Sequence, residues 1–342
     1  MRILITGASG FIGSFIVEEA LRRGFETWAA VRRSSSRAFL ADSRIRLVEL
    51  DLDSEEQLRR QLGTIRPDYV VHAAGVTKCL DRRDFRRINT EGTQHLVGAL
   101  RSLGLPLRRF VYISSLSVMG AIREQMPYTE ILDSDTPQPN TAYGRSKLDA
   151  EEWLDSLNTP DGKETTGRQE DFPYVVLRPT GVYGPRERDY FMMAKSIKAH
   201  TDFAVGFRPQ DITFVYVADV VQAVFLALEK GRTGGKYFLS DGEVYQSATF
   251  SNLIRRELGN PWWIRITAPL WLLRVITFCG EYIGRLTGQV TALNNDKYNI
   301  MRQRNWRCDI TPARRELGYE PTVKLDEGVR RTIAWYKQHQ WL

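Results

Sequence analysis

"LITGASGFIGSFIVEEAL", residues 4–21, decides how the rest of the chain is read. Extended back to Arg2, its apolar opening "RILIT" reads as a strand, and from about Phe11 to Arg23 the pattern is helical. Between the two stand Gly7, Gly10 and Gly13, in a Gly-x-x-Gly-x-x-Gly spacing. Glycine permits a tight turn and lets backbone N–H groups come close to an anion, and the N-terminus of the following helix adds positive potential. Strand, glycine turn and helix in this order predict a dinucleotide pyrophosphate site, with Phe11 and Ile12 opening the helix beside the glycines.

The alternation continues. "TWAAV", "RLVEL", "YVVH" and "RFVYISS" read as further strands, separated by polar or periodic segments of helical length, and "YVVLRPTGVYG" supplies one more. Short β-branched runs alternating with helices imply parallel strands joined by crossover helices. The expected fold is therefore α/β, a doubly wound parallel sheet covered on both faces. After about Gly184 the pattern loosens, and tryptophan and proline cluster in "NPWWIRITAPLW". The expected division is a dinucleotide-binding domain over 1–184 and a smaller, mainly substrate-binding domain over 185–342. From the latter, about 212–232, containing "FVYVADVVQAVFLAL", returns to the sheet domain. The polar stretch "NTPDGKETTGRQED" (Asn158–Asp171) reads as an exposed, mobile loop between a helix and a strand.

The 342 residues are 42% hydrophobic and 26% charged, an ordinary globular composition with enough length for a sizeable core. Cys79, Cys279 and Cys308 are widely spaced, without a disulfide or paired-ligand pattern, so no metal site is expected and a reducing compartment fits. The chain enters a strand at once, without signal-peptide architecture, which makes the cytoplasm the expected location. The net charge of +7 comes from arginines scattered through "RRQLGTIR", "DRRDFRR" and "GLPLRRF". Such scatter argues against nucleic acid as a partner and suits an anionic small molecule. No apolar run reaches the roughly 18–20 residues of a membrane span. The nearest, "APLWLLRVITFCGEYIG" (Ala268–Gly284), is broken by Arg274 and Glu281 and reads as a buried or cleft-lining helix, with peripheral membrane contact as the alternative.

"HAAG" (His72–Gly75), "NTEGT" (Asn89–Thr93), "FVYISSLSVMG" and "TAYGRSK" (Thr141–Lys147) follow the glycine turn in order. Together they resemble the extended short-chain dehydrogenase/reductase superfamily over nearly the whole chain, down to "ELGYEPTVKLDEGVRRTIAWY". A Tyr-x-x-x-Lys spacing alone is also what a solvated helix shows; in this company it reads as chemistry. The resemblance implies a Rossmann-type NAD(P)-dependent oxidoreductase in which Tyr143 gives or takes a proton. Lys147, one turn away, would lower the phenol's pKa and bind the nicotinamide ribose, and Ser115 would hydrogen-bond the reacting oxygen. Ser114 and Ser117 have weaker claims to that role. Ala73, Ala74, Gly75 and Ile113 would line the cofactor, with Pro179 and Val182 facing the nicotinamide. His72 reads as structural, and Asn89 as a tie between the backbones of two strands.

"AAVRRSSSR" carries no acid where the second strand ends. An acid there accepts from the ribose 2′-hydroxyl of NAD, whereas arginine accommodates the 2′-phosphate of NADP. Arg32 and Arg33, with Ser34 and Ser35 as donors, favour NADP(H) over NAD(H); an ordinary basic turn is the bland reading. Asp51, followed by Leu52, resembles the family's adenine-contacting acid. "LRPTGVYGP" has Thr180 and Gly181 where many nucleotide-sugar epimerases and dehydratases have an asparagine that holds the substrate diphosphate. This segment, the tail from Trp306 and the apolar helix resemble the 3β-hydroxysteroid dehydrogenase and dihydroflavonol-reductase-like branch. The reading is interconversion of a secondary alcohol and a ketone on a hydrophobic, steroid-like or flavonoid-like substrate. The alternatives are a nucleotide-sugar epimerase or dehydratase with transient oxidation by a retained cofactor, and a non-catalytic dinucleotide sensor. Relatives commonly form homodimers, which this sequence neither requires nor excludes.

Overall fold

The computed structural model describes residues 1–159, 171–287 and 295–342. Strands β1 (Arg2–Thr6), β2 (Glu26–Val31), β3 (Arg46–Glu49), β4 (Tyr69–His72), β5 (Arg109–Ile113) and β6 (Tyr174–Pro179) come first. Among them run helices α1 (Phe11–Arg22), α2 (Glu55–Ile65), α3 (Arg82–Phe85), α4 (Gly92–Ser102) and α5 (Ala142–Ser156). Then follow β7 (Gly181–Tyr183), α6 (Asp189–Lys198), β8 (Thr201–Val205), β9 (Asp211–Ile212), β10 (Phe214–Tyr216), α7 (Val217–Lys230) and β11 (Gly235–Leu239). The chain ends with β12 (Tyr245–Gln246), α8 (Ser247–Glu257), β13 (Ile264–Ala268), α9 (Leu270–Thr287), α10 (Asn295–Arg302) and α11 (Leu325–Gln338).

Seven strands form one parallel sheet in the order β11-β6-β5-β4-β1-β2-β3. The sheet is doubly wound: the chain leaves β1 toward β2 on one side and later returns to β4 on the other, which opens a crevice at the carboxyl end of β1. Side-chain alternation divides the core between the two faces. Ile3, Ile5, Val111, Ile113, Val175 and Leu177 pack toward α1 and α7, while Leu4, Val70, Phe110, Tyr112 and Val176 pack toward α2, α4 and α5. Both faces are covered, so the strands read as continuous apolar runs. A separate aromatic core joins Tyr183, Phe214, Tyr216 and Phe250 to Ile333 and Tyr336 of α11.

The strands depart from the sequence reading at two points. "YVVLRPTGVYG" is two strands, because the chain turns out of the sheet at Thr180, whose N–H donates to Leu239 O and whose hydroxyl donates to Thr213 O. β7 then pairs with β10, outside the large sheet. From "FVYVADVVQAVFLAL" the helix α7 packs on α1 and the sheet, and the seventh strand comes from Gly235–Leu239, unread in the sequence. Of the loop expected over Asn158–Asp171, residues 160–170 lie outside the described residues; Asn158 bonds both backbone groups of Phe172. Among the described residues no helix is long and apolar enough to cross a membrane.

Candidate active site

The glycine turn follows β1 into the crevice. Gly7 has φ +67°, and a Cβ there would stand 2.6 Å from the backbone of Ala73 and Ala74. A Cβ on Gly13 would collide with the Gly7 carbonyl. Among the described residues no side chain caps the N-terminus of α1, which leaves the first-turn N–H groups at Phe11, Ile12 and Gly13 for an anion. The turn thus fits a pyrophosphate. Gly7→Ala should lower stability by at least about 2 kcal/mol, from the left-handed backbone plus the clash, read as a drop in urea midpoint. An unchanged midpoint would show that the turn can rearrange.

Arg32, Arg33 and Ser34 are exposed at the carboxyl end of β2, in a turn closed by Ser35 N–H to Arg32 O (2.9 Å) and Arg32 N–H to Ser35 Oγ (3.0 Å). The loop beyond is clamped to α1 by Arg186, whose guanidinium lies between the rings of Phe15 and Phe39 (4.2 and 4.4 Å) and donates to Ser14 Oγ. Asp51 is exposed past β3, its carboxylate accepting from Asp53 N–H at 3.0 Å. The Leu52 side chain meets Gly92, and its carbonyl faces His95 Nδ1 at 2.7 Å.

Ala73, Ala74 and Gly75 continue from β4 and link the glycine turn to α5: a Cβ on Gly75 would lie 3.2 Å from Lys147 Nζ. His72 is fully buried, with Nδ1 2.6 Å from Thr6 Oγ1 and Nε2 3.0 Å from Thr93 Oγ1. Burial, with the Lys147 charge adding, pushes its pKa down to about 3, so it stays a neutral packing group. Asn89 does not join two strands. It bonds both backbone groups of Val76, in the loop after β4, and donates to Ser146 Oγ on α5 at 3.0 Å.

Thr141 caps α5 by accepting from Gly144 N–H at 2.9 Å, which sets the helix start and turns Tyr143 and Lys147 onto one face. Tyr143 is half-buried and edge-on to Phe85, with Ser115 close enough to its hydroxyl to act on the phenol's pKa. Burial pushes the phenol up to about 12, against the downward pull of Ser115. Lys147 is buried; its ammonium donates to Ile113 O at 2.9 Å and lies 4.6 Å from the centre of the Tyr112 ring. Burial pushes it down to about 8, while Glu151 pulls it up. The expected lowering of the phenol by Lys147 is thus not what this geometry gives: the ammonium is engaged with the β5 carbonyl, and desolvation governs the tyrosine.

Ser114 points the other way, donating to Glu151 Oε1 at 2.5 Å. Glu151 is fully buried and also holds Arg178 of β6 through Nε at 3.1 Å and Nη2 at 2.5 Å. This pair was absent from the sequence reading, although an arginine in an otherwise apolar strand and a glutamate four residues past Lys147 were visible. Asp296 of α10 is a second unread neighbour, accepting from Tyr143 N–H at 3.2 Å. Pro179 ends β6, and Val182 lies in β7, packed between two cores.

A model of the NAD dependent epimerase/dehydratase family matches residues 3–243. Similar proteins include a UDP-glucose 4-epimerase of Vibrio cholerae, 25% identical with 98% of this chain and 95% of the relative covered. A 3-beta-hydroxysteroid dehydrogenase of Mycolicibacterium neoaurum is 26% identical, with 98% and 91% covered. Among solved structures, a dTDP-glucose 4,6-dehydratase of Streptomyces venezuelae with NAD bound superposes with a TM-score of 0.78 at 23% identity, over 99% of this chain and 98% of that one. The chain belongs to the NAD dependent epimerase/dehydratase family, the extended short-chain dehydrogenase/reductase enzymes.

Proposed function

We propose that this enzyme reduces a ketone on a hydrophobic substrate to a secondary alcohol with NADPH, and catalyses the reverse reaction. The observation that carries the reading is the proximity of Ser115 to the Tyr143 hydroxyl, one helical turn from the buried Lys147, with Ala73–Gly75 linking this group to the glycine turn. When bound, a nicotinamide cofactor supplies the hydride donor or acceptor. In reduction, the Tyr143 hydroxyl gives its proton to the substrate oxygen, and Ser115 hydrogen-bonds that same oxygen. A phenol held near 12 by burial keeps its proton at neutral pH, which suits the reductive direction. Lys147, cationic below about 8, serves the ribose hydroxyls and keeps positive charge beside the reacting oxygen.

The exposed Arg32, Arg33 and Ser34, with no acid beside them, support NADP(H). Arg32→Asp should weaken NADPH binding at least about tenfold, since it replaces a phosphate partner with a like charge. Fluorescence titration measures this, and equal NADPH affinity before and after would remove the phosphate role.

A hydrophobic substrate is supported by the steroid dehydrogenase relative and by Thr180, whose buried hydroxyl is already bonded to Thr213 O at 2.9 Å and offers nothing to a diphosphate. The epimerase relative favours a second reading, sugar-nucleotide epimerisation with a retained cofactor. Incubating the protein with NADPH and steroid ketones, flavonoids or sugar nucleotides separates the two. Stoichiometric loss of NADPH marks the reductase; isomer formation without net cofactor change overturns it.

A further inference from the structure

We propose that the outward face of β8, β13 and α9 docks this protein on an anionic lipid surface. β8 and β13 pair in parallel, with Asp202 opposite Arg265 and Phe203 opposite Ile266. The inward side of this ribbon is the charged one: Asp202 is buried and accepts from Arg265 Nε at 2.6 Å. The outward side carries Phe203, 66% exposed, with Ile264 and Ile266 also exposed. That is the reverse of what water selects on a two-stranded ribbon.

The helix that follows repeats the inversion. Leu273 and Thr277 of α9 are buried, whereas Trp271 and Phe278, 68% and 74% exposed, flank Arg274 and Val275 on one outward stripe at i, i+3, i+4 and i+7. Phe207, 77% exposed, and Trp262, stacked on His200, add two more outward rings. So many exposed aromatic side chains on neighbouring elements mark an interaction surface.

Charge chooses the occupant. In residues 191–210 and 261–287 the basic side chains are Lys195, Lys198, Arg208, Arg265, Arg274 and Arg285, and the acids are Glu281 and Asp202, the latter buried against Arg265. A second copy of the chain would set arginines against arginines. Acidic headgroups instead attract them, while tryptophan and phenylalanine enter the headgroup boundary. No described helix can span a bilayer, so the face lies on the membrane. Docking is independent of hydride transfer, and Tyr143→Phe should bind vesicles like the wild type.

The test is co-sedimentation of the full chain with vesicles of phosphatidylcholine alone and of phosphatidylcholine mixed with phosphatidylglycerol. Binding is expected to the mixed vesicles and to weaken with added salt. Trp271→Ser with Phe278→Ser should reduce it at least about tenfold, and Arg274→Gln about fivefold. NADPH titration of each variant checks that the fold is intact. Protein that stays in the supernatant with both vesicle types overturns the proposal, as does binding that the variants leave unchanged. A concentration-dependent dimer that the same variants dissolve, without vesicle binding, also overturns it and assigns the face to a second copy.

Discussion

Tyr143→Phe should lower kcat by about a thousandfold, within the range of a lost general acid, and leave NADPH affinity within about twofold. The substitution removes one oxygen. The ring keeps its place against Phe85, the helix keeps its Thr141 cap, and Lys147 keeps its bond to Ile113 O. Losing the polar contact with Ser115 costs about 1 kcal/mol of stability or less, because the site is half-open to water. Single-turnover kinetics with saturating NADPH isolate the chemical step. Turnover near the wild-type rate would mean that the proton comes from elsewhere and would remove Tyr143 from the mechanism. Loss of NADPH binding along with turnover would point to a role in holding the cofactor.

How much of this was legible beforehand varies with how local each feature is. β4 is the four residues "YVVH" as read, and α1 starts at Phe11, because a strand, a glycine turn and a helix are specified by adjacent residues. β5 stops at Ile113, two residues short of "RFVYISS", since Ser115 uses its side chain to cap the short turn after it by accepting from Ser117 N–H. β11 escaped because "GKYFL" is short and follows a helix that looked like the last of the sheet domain. Its pairing with β6 is long-range and leaves no local signature. The same holds for the site. Motif spacing put Tyr143 and Lys147 on one face, but the direction of their pKa shifts depends on burial, which spacing does not encode. Asn89 was read as a strand tie from its motif, yet its amide reaches a loop and a helix, contacts that only the assembled fold creates.

Glu151 is where both the fold and the chemistry respond to one substitution. Glu151→Gln leaves the buried Arg178 guanidinium without its counter-charge and should destabilise the protein by about 3–5 kcal/mol. Lys236 cannot compensate, since it would add a second cation, and it is already paired with Asp155 at 2.6 Å. Replacing both partners, Glu151→Leu with Arg178→Met, removes the charges together and should recover most of that loss, short of about 1–3 kcal/mol for the buried Ser114 hydroxyl left without its acceptor. This folded double variant then exposes the catalytic consequence. Burial lowers the Lys147 pKa and Glu151 raises it, giving about 8. Without the carboxylate, burial acts unopposed and the pKa falls further, so at a fixed pH less of the lysine is cationic. Phenol ionisation, near 12, stays out of the way. The alkaline limb of kcat/KM should therefore move to lower pH in the double variant, with kcat at pH 6 little changed. Recovered folding with an unmoved limb would reduce Glu151 to an anchor for Arg178 and Ser114. A shifted limb in the folded double variant would tie the buried pair beneath α5 to the charge on its catalytic face.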